Sequence, residues 1–369
     1  MGMGKRRATL TVMIKPASAA CNLACSYCFY LDTAAHRKEG AFSLMSDEVA
    51  DAIIEKSLEA ADSVYFVFQG GEPSLAGLPF FTRFVKRATE QKSDGQQIRW
   101  AFQTNGLLFD ASWAAFFKEH GFLVGISFDG SPRLHDLHRT DRTGGGSGRA
   151  VAKAIEVAKA EGVEFNILSV VTDQMADNTE RAWRYLVDHG VRYHQYIACM
   201  DPIGGETHFL SPSAYARFLK EAFDLWYDSF RAGQQISVRF FDNIVAMLLG
   251  LEPESCDMGG ICSANYVVES NGNIYPCDFY CTDDQLLGNI LTGSYAAFDE
   301  RRRALRFIED SKNTIDACDR CQWQALCRGG CKRYRSEEGY LFCSSMKEFF
   351  PYAIRRFEQV ATLVAGGGQ

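Results

Sequence analysis

The chain has 369 residues, 47% hydrophobic and 23% charged, with a formal net charge of −7. This excludes a disordered or fibrous chain, leaves room for two domains, and argues against a dedicated binder of nucleic acid or of an anionic membrane. The 13 cysteines are the unusual feature. An odd number of thiols, with no apolar signal core behind Lys5-Arg6-Arg7, fits a cytoplasmic chain with free or metal-bound cysteines better than a disulfide scaffold. No run approaches the roughly 20 apolar residues of a membrane span.

In chain order, short runs rich in β-branched and aromatic residues predict strands at 10–14, 64–68, 98–102, 123–127, 165–171 and 193–197. Between them, amphipathic segments predict helices, among them 46–61 with Ser46 as N-cap and 149–161 ended by Gly162. Six βα units in a row predict an α/β fold with a parallel sheet closed or partly closed into a barrel, with its chemistry on the loops that follow the strands. The run Gly144-Gly145-Gly146-Ser147-Gly148 lacks the Lys-Ser or Lys-Thr of a phosphate loop and reads as a flexible lead into the next helix. After residue 197 the rhythm changes to helices at 213–232 and 241–251, then a cysteine-rich stretch from 256 to 343. A terminal helix at 346–364 is expected to be interrupted near Pro351.

Just after the first strand stands Cys21-Asn-Leu-Ala-Cys25-Ser-Tyr-Cys28. Three thiolates this close can hold three irons of a [4Fe–4S] cubane and leave the fourth open to a small molecule. A zinc knuckle would want four closed ligands, and no His follows Cys28 closer than His36. The triplet, with an aromatic residue before its last cysteine, resembles the signature of the radical S-adenosylmethionine (SAM) enzymes. So does Gln69-Gly70-Gly71-Glu72-Pro73 after the second strand, similar to the family's GGEP motif. The resemblance implies that Gly70, Gly71, Glu72, Gln103 and Ser127 contact SAM at the ends of successive strands, Glu72 accepting from its ammonium. Arg139 matches the family's partner of the SAM carboxylate.

The later cysteines resemble the SPASM extension, which carries two auxiliary [4Fe–4S] clusters. That implies one cluster on Cys256, Cys262, Cys277 and Cys331, another on Cys318, Cys321, Cys327 and Cys343, and three clusters in all. Cys199 and Cys281 are left over, with Cys281 a possible competing ligand. A zinc ribbon on Cys318, Cys321, Cys327 and Cys331 is the alternative reading, and it leaves Cys256, Cys262, Cys277 and Cys343 unexplained. The implied architecture is a partial (β/α)6 radical SAM barrel over 1–235, a SPASM domain over 236–345 and a C-terminal helix over 346–369.

Within that group the chain is most similar to the anaerobic sulfatase-maturating enzymes. Ile14-Lys15-Pro16-Ala17-Ser18, Cys28-Phe29-Tyr30, Phe68 to Gly77 and Tyr275-Pro276-Cys277-Asp278-Phe279-Tyr280 carry the likeness. The resemblance implies oxidation of a Cys or Ser in a sulfatase C/S-x-P-x-R motif to Cα-formylglycine, with Asp278 as general base. Tyr30 and Gln69 are expected to contact the substrate, in a groove between barrel and extension. A flavodoxin or ferredoxin is the expected electron donor. The alternatives are a SPASM maturase that crosslinks a ribosomally made peptide, and a non-catalytic zinc-binding interaction protein. A sulfatase gene beside this one would favour the first reading, a short Cys-rich precursor the second, and zinc without SAM cleavage the third.

Overall fold

A computed structural model describes residues 6–38, 43–203 and 207–366. Residues 367–369 of the expected C-terminal segment lie outside the described residues. The strands are β1 Arg7–Lys15, β2 Ala61–Phe68, β3 Gln97–Thr104, β4 Phe122–Ser127, β5 Phe165–Val171, β6 Tyr193–Ala198, β7 Ser237–Val238, β8 Tyr266–Glu269, β9 Asn273–Tyr275 and β10 Gly288–Asn289. The chain forms two compact units. The first comprises residues 1–127, 138–165 and 264–307; the second comprises residues 128–137, 166–263 and 308–369.

In the first unit the strand order is β10-β9-β8-β1-β2-β3-β4. β8, β1, β2, β3 and β4 run parallel, and β9 and β10 are antiparallel to their neighbours. The register brings Val12 beside Phe66, Phe66 beside Trp100 and Trp100 beside Phe122. Alternate residues of these strands point into one aromatic layer, in which Phe68, Phe81, Phe84, Phe102 and Phe117 are all essentially inaccessible. Helices Leu78–Gln91 and Ala111–His120 supply Phe81, Phe84, Trp113 and Phe117 to it, with ring centroids 4.9–5.4 Å apart in the Phe81–Phe102, Phe81–Trp113 and Phe102–Phe117 pairs. Each ring buried this way contributes roughly 2–3 kcal/mol, against about 1 kcal/mol for a good helix cap. The packing therefore decides the fold, and the caps trim element ends. Ser46 Oγ does accept from Val49 N at 3.3 Å, and Gly162 closes helix Gly148–Glu161 in the left-handed conformation.

The second unit pairs β5 with β6 and β6 with β7, all parallel. Helices Pro212–Arg231, Arg239–Leu248 and Cys343–Gly366 pack through Phe223, Trp226, Phe241, Phe349 and Phe357. The last helix runs through Pro351, contrary to the expected interruption. Phe349, Phe350, Ala353 and Phe357 are buried on both sides of the proline, and that apolar face outweighs the one missing N–H donor. The Arg335 guanidinium takes the place of a core in the cysteine-rich part. It donates to the carbonyls of Gly329 (2.7 Å), Ser311 (2.6 Å), Gly330 (2.6 Å), Arg328 (3.2 Å), Gly260 (3.3 Å) and Asn313 (3.4 Å).

Candidate active site and cysteine clusters

The loop from Pro16 to Cys28 leaves the end of β1 and is clamped from two sides. Ser18 turns it in the left-handed region (φ 48°). Gly71 N then donates to Ser18 O and Glu72 N to Ala20 O, both at 2.8 Å. A Cβ on Gly71 would lie 2.1 Å from Ala20 O, so glycine is required there by the cysteine loop's own backbone. From the other side Ala24 N donates to Thr140 O (2.8 Å), Ser26 N to His138 O (3.0 Å) and Arg142 Nη2 to Cys21 O (3.1 Å). Cys28 stands at the N-cap position of helix Phe29–Ala35, with no capping bond from its side chain. Burial raises the Cys21 pKa, and the Glu72 and Cys28 charges nearby add to the rise. Cys21 Sγ accepts from Leu23 N at 3.4 Å and from Asn105 Nδ2 at 3.6 Å. A buried thiol that receives two N–H donors, as Cys21 does, has the chemistry of an iron–sulfur ligand, although no three Cys, His, Asp or Glu side chains among the described residues converge as for a single metal ion.

Glu72 has no exposed surface. Its Oε1 accepts from Ser74 N (3.1 Å), Ser74 Oγ (2.6 Å) and Thr104 Oγ1 (2.9 Å), and its Oε2 from Asn105 N (2.7 Å). Burial pushes this carboxyl's pKa up, and those donors pull against the rise. The carboxylate thus staples the loop after β2 to the loop after β3. Gly70 adopts φ +134° beside it. Gln103 Nε2 donates to Ser127 Oγ at 3.0 Å, which brings two more of the expected SAM contacts together. Arg139 is buried, its guanidinium carbon 5.4 Å from the centre of the Tyr27 ring.

Asp278, in the turn after Cys277, is 8% exposed. Lys15, wholly buried at the end of β1, makes an ion pair with its Oδ1, and Gln69 Nε2 donates to its Oδ2 at 2.8 Å. Burial acts to lower the Lys15 pKa, but Asp278 foremost, with Cys281 and Glu269, holds the ammonium above its ordinary range. The Lys15 Nζ also lies 3.3 Å from the centre of the Tyr30 ring. Tyr30 is itself buried, and its hydroxyl donates to Glu269 Oε1. Burial and that carboxylate drive the phenol's pKa well up. Arg37 pairs with Glu269 at 2.9 Å, and Ser18 Oγ donates to its Oε2 at 3.0 Å. Asp278 and Gln69 therefore stand together, while Tyr30 is tied into an adjoining buried network. Arg37, Glu269 and Asn105 are given no role in the reading of the sequence, and Lys15 enters it only as part of Ile14-Lys15-Pro16-Ala17-Ser18. The available signal was a charged residue ending each of two apolar strands, Lys15 on β1 and Glu269 on β8.

Within the second unit Cys256, Cys262 and Cys331 are electrostatic neighbours. Burial first, and then the other two thiols, push Cys331 up to about 12. Its Sγ accepts from Arg333 N at 3.4 Å, and Cys262 N donates to Ser311 Oγ at 2.8 Å. Cys327 is likewise raised to about 11, by burial and then by Cys343, Cys318 and Cys321. The expected ligand sets join Cys256, Cys262 and Cys331 with Cys277, which belongs to the first unit, and Cys318, Cys321 and Cys327 with Cys343. Cys281 is fully buried against Val267 and Tyr275, and Cys199 is 3% exposed. No two cysteines form a disulfide among the described residues.

Parallel strands with a tri-cysteine loop, a buried Gly-Gly-Glu staple and thiol groups in a C-terminal extension define a class. The profile of the Radical SAM superfamily matches residues 16–186, and the chain is a member of it. Such membership carries a [4Fe–4S] cluster and SAM. Within the superfamily the chain belongs to the anaerobic sulfatase-maturating enzymes. It is 40% identical to the cysteine-type anaerobic sulfatase-maturating enzyme of Clostridium perfringens strain 13 over 95% of this chain and 98% of that protein. It is 36% identical to the cysteine-type enzyme of Clostridium novyi, over 97% of this chain and 98% of that one. It is 30% identical to the serine-type enzyme of Klebsiella pneumoniae, over 92% of this chain and 86% of that one. The solved structure of native anSMEcpe with bound AdoMet and Cp18Cys peptide matches with a TM-score of 0.91 and 39% identity, covering 96% of this chain and 99% of that one. The α/β fold expected from the sequence is the fold of this family.

Proposed function

We propose that the protein oxidises one cysteine of a sulfatase polypeptide, in a C-x-P-x-R context, to Cα-formylglycine. The observation that carries the reading is the Asp278 carboxylate, fixed between Lys15 and Gln69 on the frame that also holds the Cys21–Cys28 loop. A cysteine target rather than a serine one is supported by the identities of 36–40% to relatives named cysteine-type, against 30% to those named serine-type.

In this reading Cys21, Cys25 and Cys28 hold the first of three [4Fe–4S] clusters. Cys256, Cys262, Cys277 and Cys331 hold the second, and Cys318, Cys321, Cys327 and Cys343 the third. The backbone at Gly70 and Gly71, with Gln103, Ser127 and Arg139, binds and orients SAM, and Glu72 serves by fixing the loops around it. When bound, cluster and SAM supply the 5′-deoxyadenosyl radical that takes a hydrogen atom from the target Cβ. The remaining proton would leave the target thiol for an Asp278 carboxylate oxygen, and auxiliary clusters held by the later cysteines would accept the remaining electron; the thioaldehyde so formed takes up water and releases hydrogen sulfide to give the aldehyde. Lys15 pairs with one Asp278 carboxylate oxygen, and Gln69 holds the second and faces the peptide. Tyr30 shapes the substrate side through its place over Lys15. Residues 1–235 act as the radical domain, 236–345 as the auxiliary-cluster domain and 346–369 as a supporting helix. A flavodoxin or ferredoxin in the cytoplasm supplies the electron. No described helix is long and apolar enough to cross a membrane.

The test is anaerobic incubation of the reconstituted, reduced protein with SAM and peptides carrying C-x-P-x-R or S-x-P-x-R, read by mass spectrometry. The expected result is 5′-deoxyadenosine together with aldehyde, formed faster on the cysteine peptide. Asp278→Asn should lower aldehyde formation by roughly 10²–10⁴-fold. Aldehyde at the normal rate from that variant would remove Asp278 from the mechanism, and about one or two zincs per chain in place of about twelve irons would remove the reading altogether.

A further inference from the structure

Asn105, next to last in Gln103-Thr104-Asn105-Gly106, is 7% exposed, and every polar atom of its side chain is committed. Its Oδ1 accepts from Leu107 N at 3.0 Å, which fixes which way the amide faces. Its Nδ2 then has two N–H groups to place. One goes to Asn22 Oδ1 at 2.7 Å and the other to Cys21 Sγ at 3.6 Å, within range for a sulfur acceptor. Its backbone N–H is held by Glu72 Oε2 at 2.7 Å, and the preceding Thr104 hydroxyl by Glu72 Oε1. The buried Glu72 carboxylate thus aims the loop after β3 at the first cysteine of the triplet.

We propose that Asn105 is a positioning residue that sets the reduction potential of the iron–sulfur cluster held by Cys21, Cys25 and Cys28, through its N–H donated to Cys21 Sγ. This rests on the reading that those three cysteines hold such a cluster. The reduced cluster carries one more negative charge than the oxidised one, and that charge is shared by the ligand sulfurs. A fixed N–H dipole aimed at a sulfur stabilises the reduced form more than the oxidised form, so it raises the potential and eases the entry of the electron. Glu72 acts on the same sulfur at one remove, which gives the acid of the Gly-Gly-Glu motif a role that needs no direct contact with a ligand.

The experiment is a redox titration of the full-length, anaerobically reconstituted protein. It is followed by the electron paramagnetic resonance signal that changes on adding SAM, with iron and sulfide counted in parallel. Asn105→Asp keeps the shape and the acceptor for Leu107 N but replaces the donor by a carboxylate. At a fixed potential the ratio of reduced to oxidised cluster should fall about tenfold, a 59 mV shift for one electron. Asn105→Ser, too short to reach the sulfur, should shift it in the same direction by less, and it decides the matter if the aspartate variant does not assemble. Full iron content with an unchanged midpoint in both variants overturns the inference and leaves the proposed function standing. Loss of iron from both also overturns it, since Asn105 is then only a brace. A wild-type protein with no SAM-responsive signal overturns the cluster reading, and the inference falls with it.

Discussion

Replacing Gly71 by alanine would set a methyl carbon 2.1 Å from Ala20 O, 2.8 Å from Ala20 C and 2.9 Å from Ala19 C. All three neighbours are backbone, and backbone does not rotate away as a side-chain tip does. Relief requires the loop after β2 to part from the cysteine loop, which costs the 2.8 Å bonds from Gly71 N to Ser18 O and from Glu72 N to Ala20 O. Overpacking of this kind costs about 1–3 kcal/mol, and two buried hydrogen bonds roughly 1 kcal/mol each, so the sum is about 3–5 kcal/mol. For a unit of roughly 150–250 residues that lowers the unfolding midpoint by about 6–20 °C. Gly95→Ala is the control, because its Cβ meets nothing within 4 Å and only the left-handed backbone (φ +77°) resists it, at about 1 kcal/mol. The assay is thermal unfolding of both variants by circular dichroism, with iron counted per chain after reconstitution. A Gly71→Ala protein as stable as Gly95→Ala, with full iron, would refute the claim that this glycine serves the join between the two loops.

The fully buried His194 has its pKa held down to about 4 by burial, whereas the unfolded chain takes up its proton near 6.5. Stability is therefore present above 6.5 and lost as pH falls toward 4. About 2 kcal/mol should go between pH 7 and pH 5, a component that His194→Gln lacks in urea titrations at the two pH values. Arg335→Lys offers one ammonium where a guanidinium met six carbonyls, and should retain fewer irons than the roughly twelve of the wild type; equal iron in the two proteins would deny Arg335 this role. Pro351→Ala restores a backbone donor in the exposed interior turn of the last helix and should stabilise the protein by about 1–3 kcal/mol, read as a higher denaturant midpoint.

What the sequence revealed follows from how local each signal is. Phe165–Val171 is legible as a strand because seven alternating residues suffice, and the cysteine triplet because its ligands are neighbours in the chain. β7 and β10, two residues each, fall below any periodicity, and β8 is a four-residue run buried throughout, without alternation. The partners of the site are distant. Tyr30 and Glu269 stand 239 positions apart and Gln69 and Asp278 209, so no local pattern announces that they meet. Tyr30 reads from sequence as a residue at an open mouth, but its ring is sandwiched by a lysine that local chemistry would have put in water. At Pro351 the local rule pointed the wrong way because the decisive contacts lie on other helices.

The parallel pairing of β8 with β1 bears on how the protein is made. β1 leaves the ribosome well before its second neighbour, which lies more than 250 residues behind it. Until that neighbour emerges, one flank of β1 is an open edge of apolar strand, the kind that pairs with a stranger. Lys15, Tyr30 and Ser18 meanwhile wait for Glu269 and Asp278 to complete their surroundings. A chain cut before residue 264 should aggregate rather than behave as a free-standing catalytic half, and a slow, late closing step should limit the yield of soluble protein more than the supply of iron does.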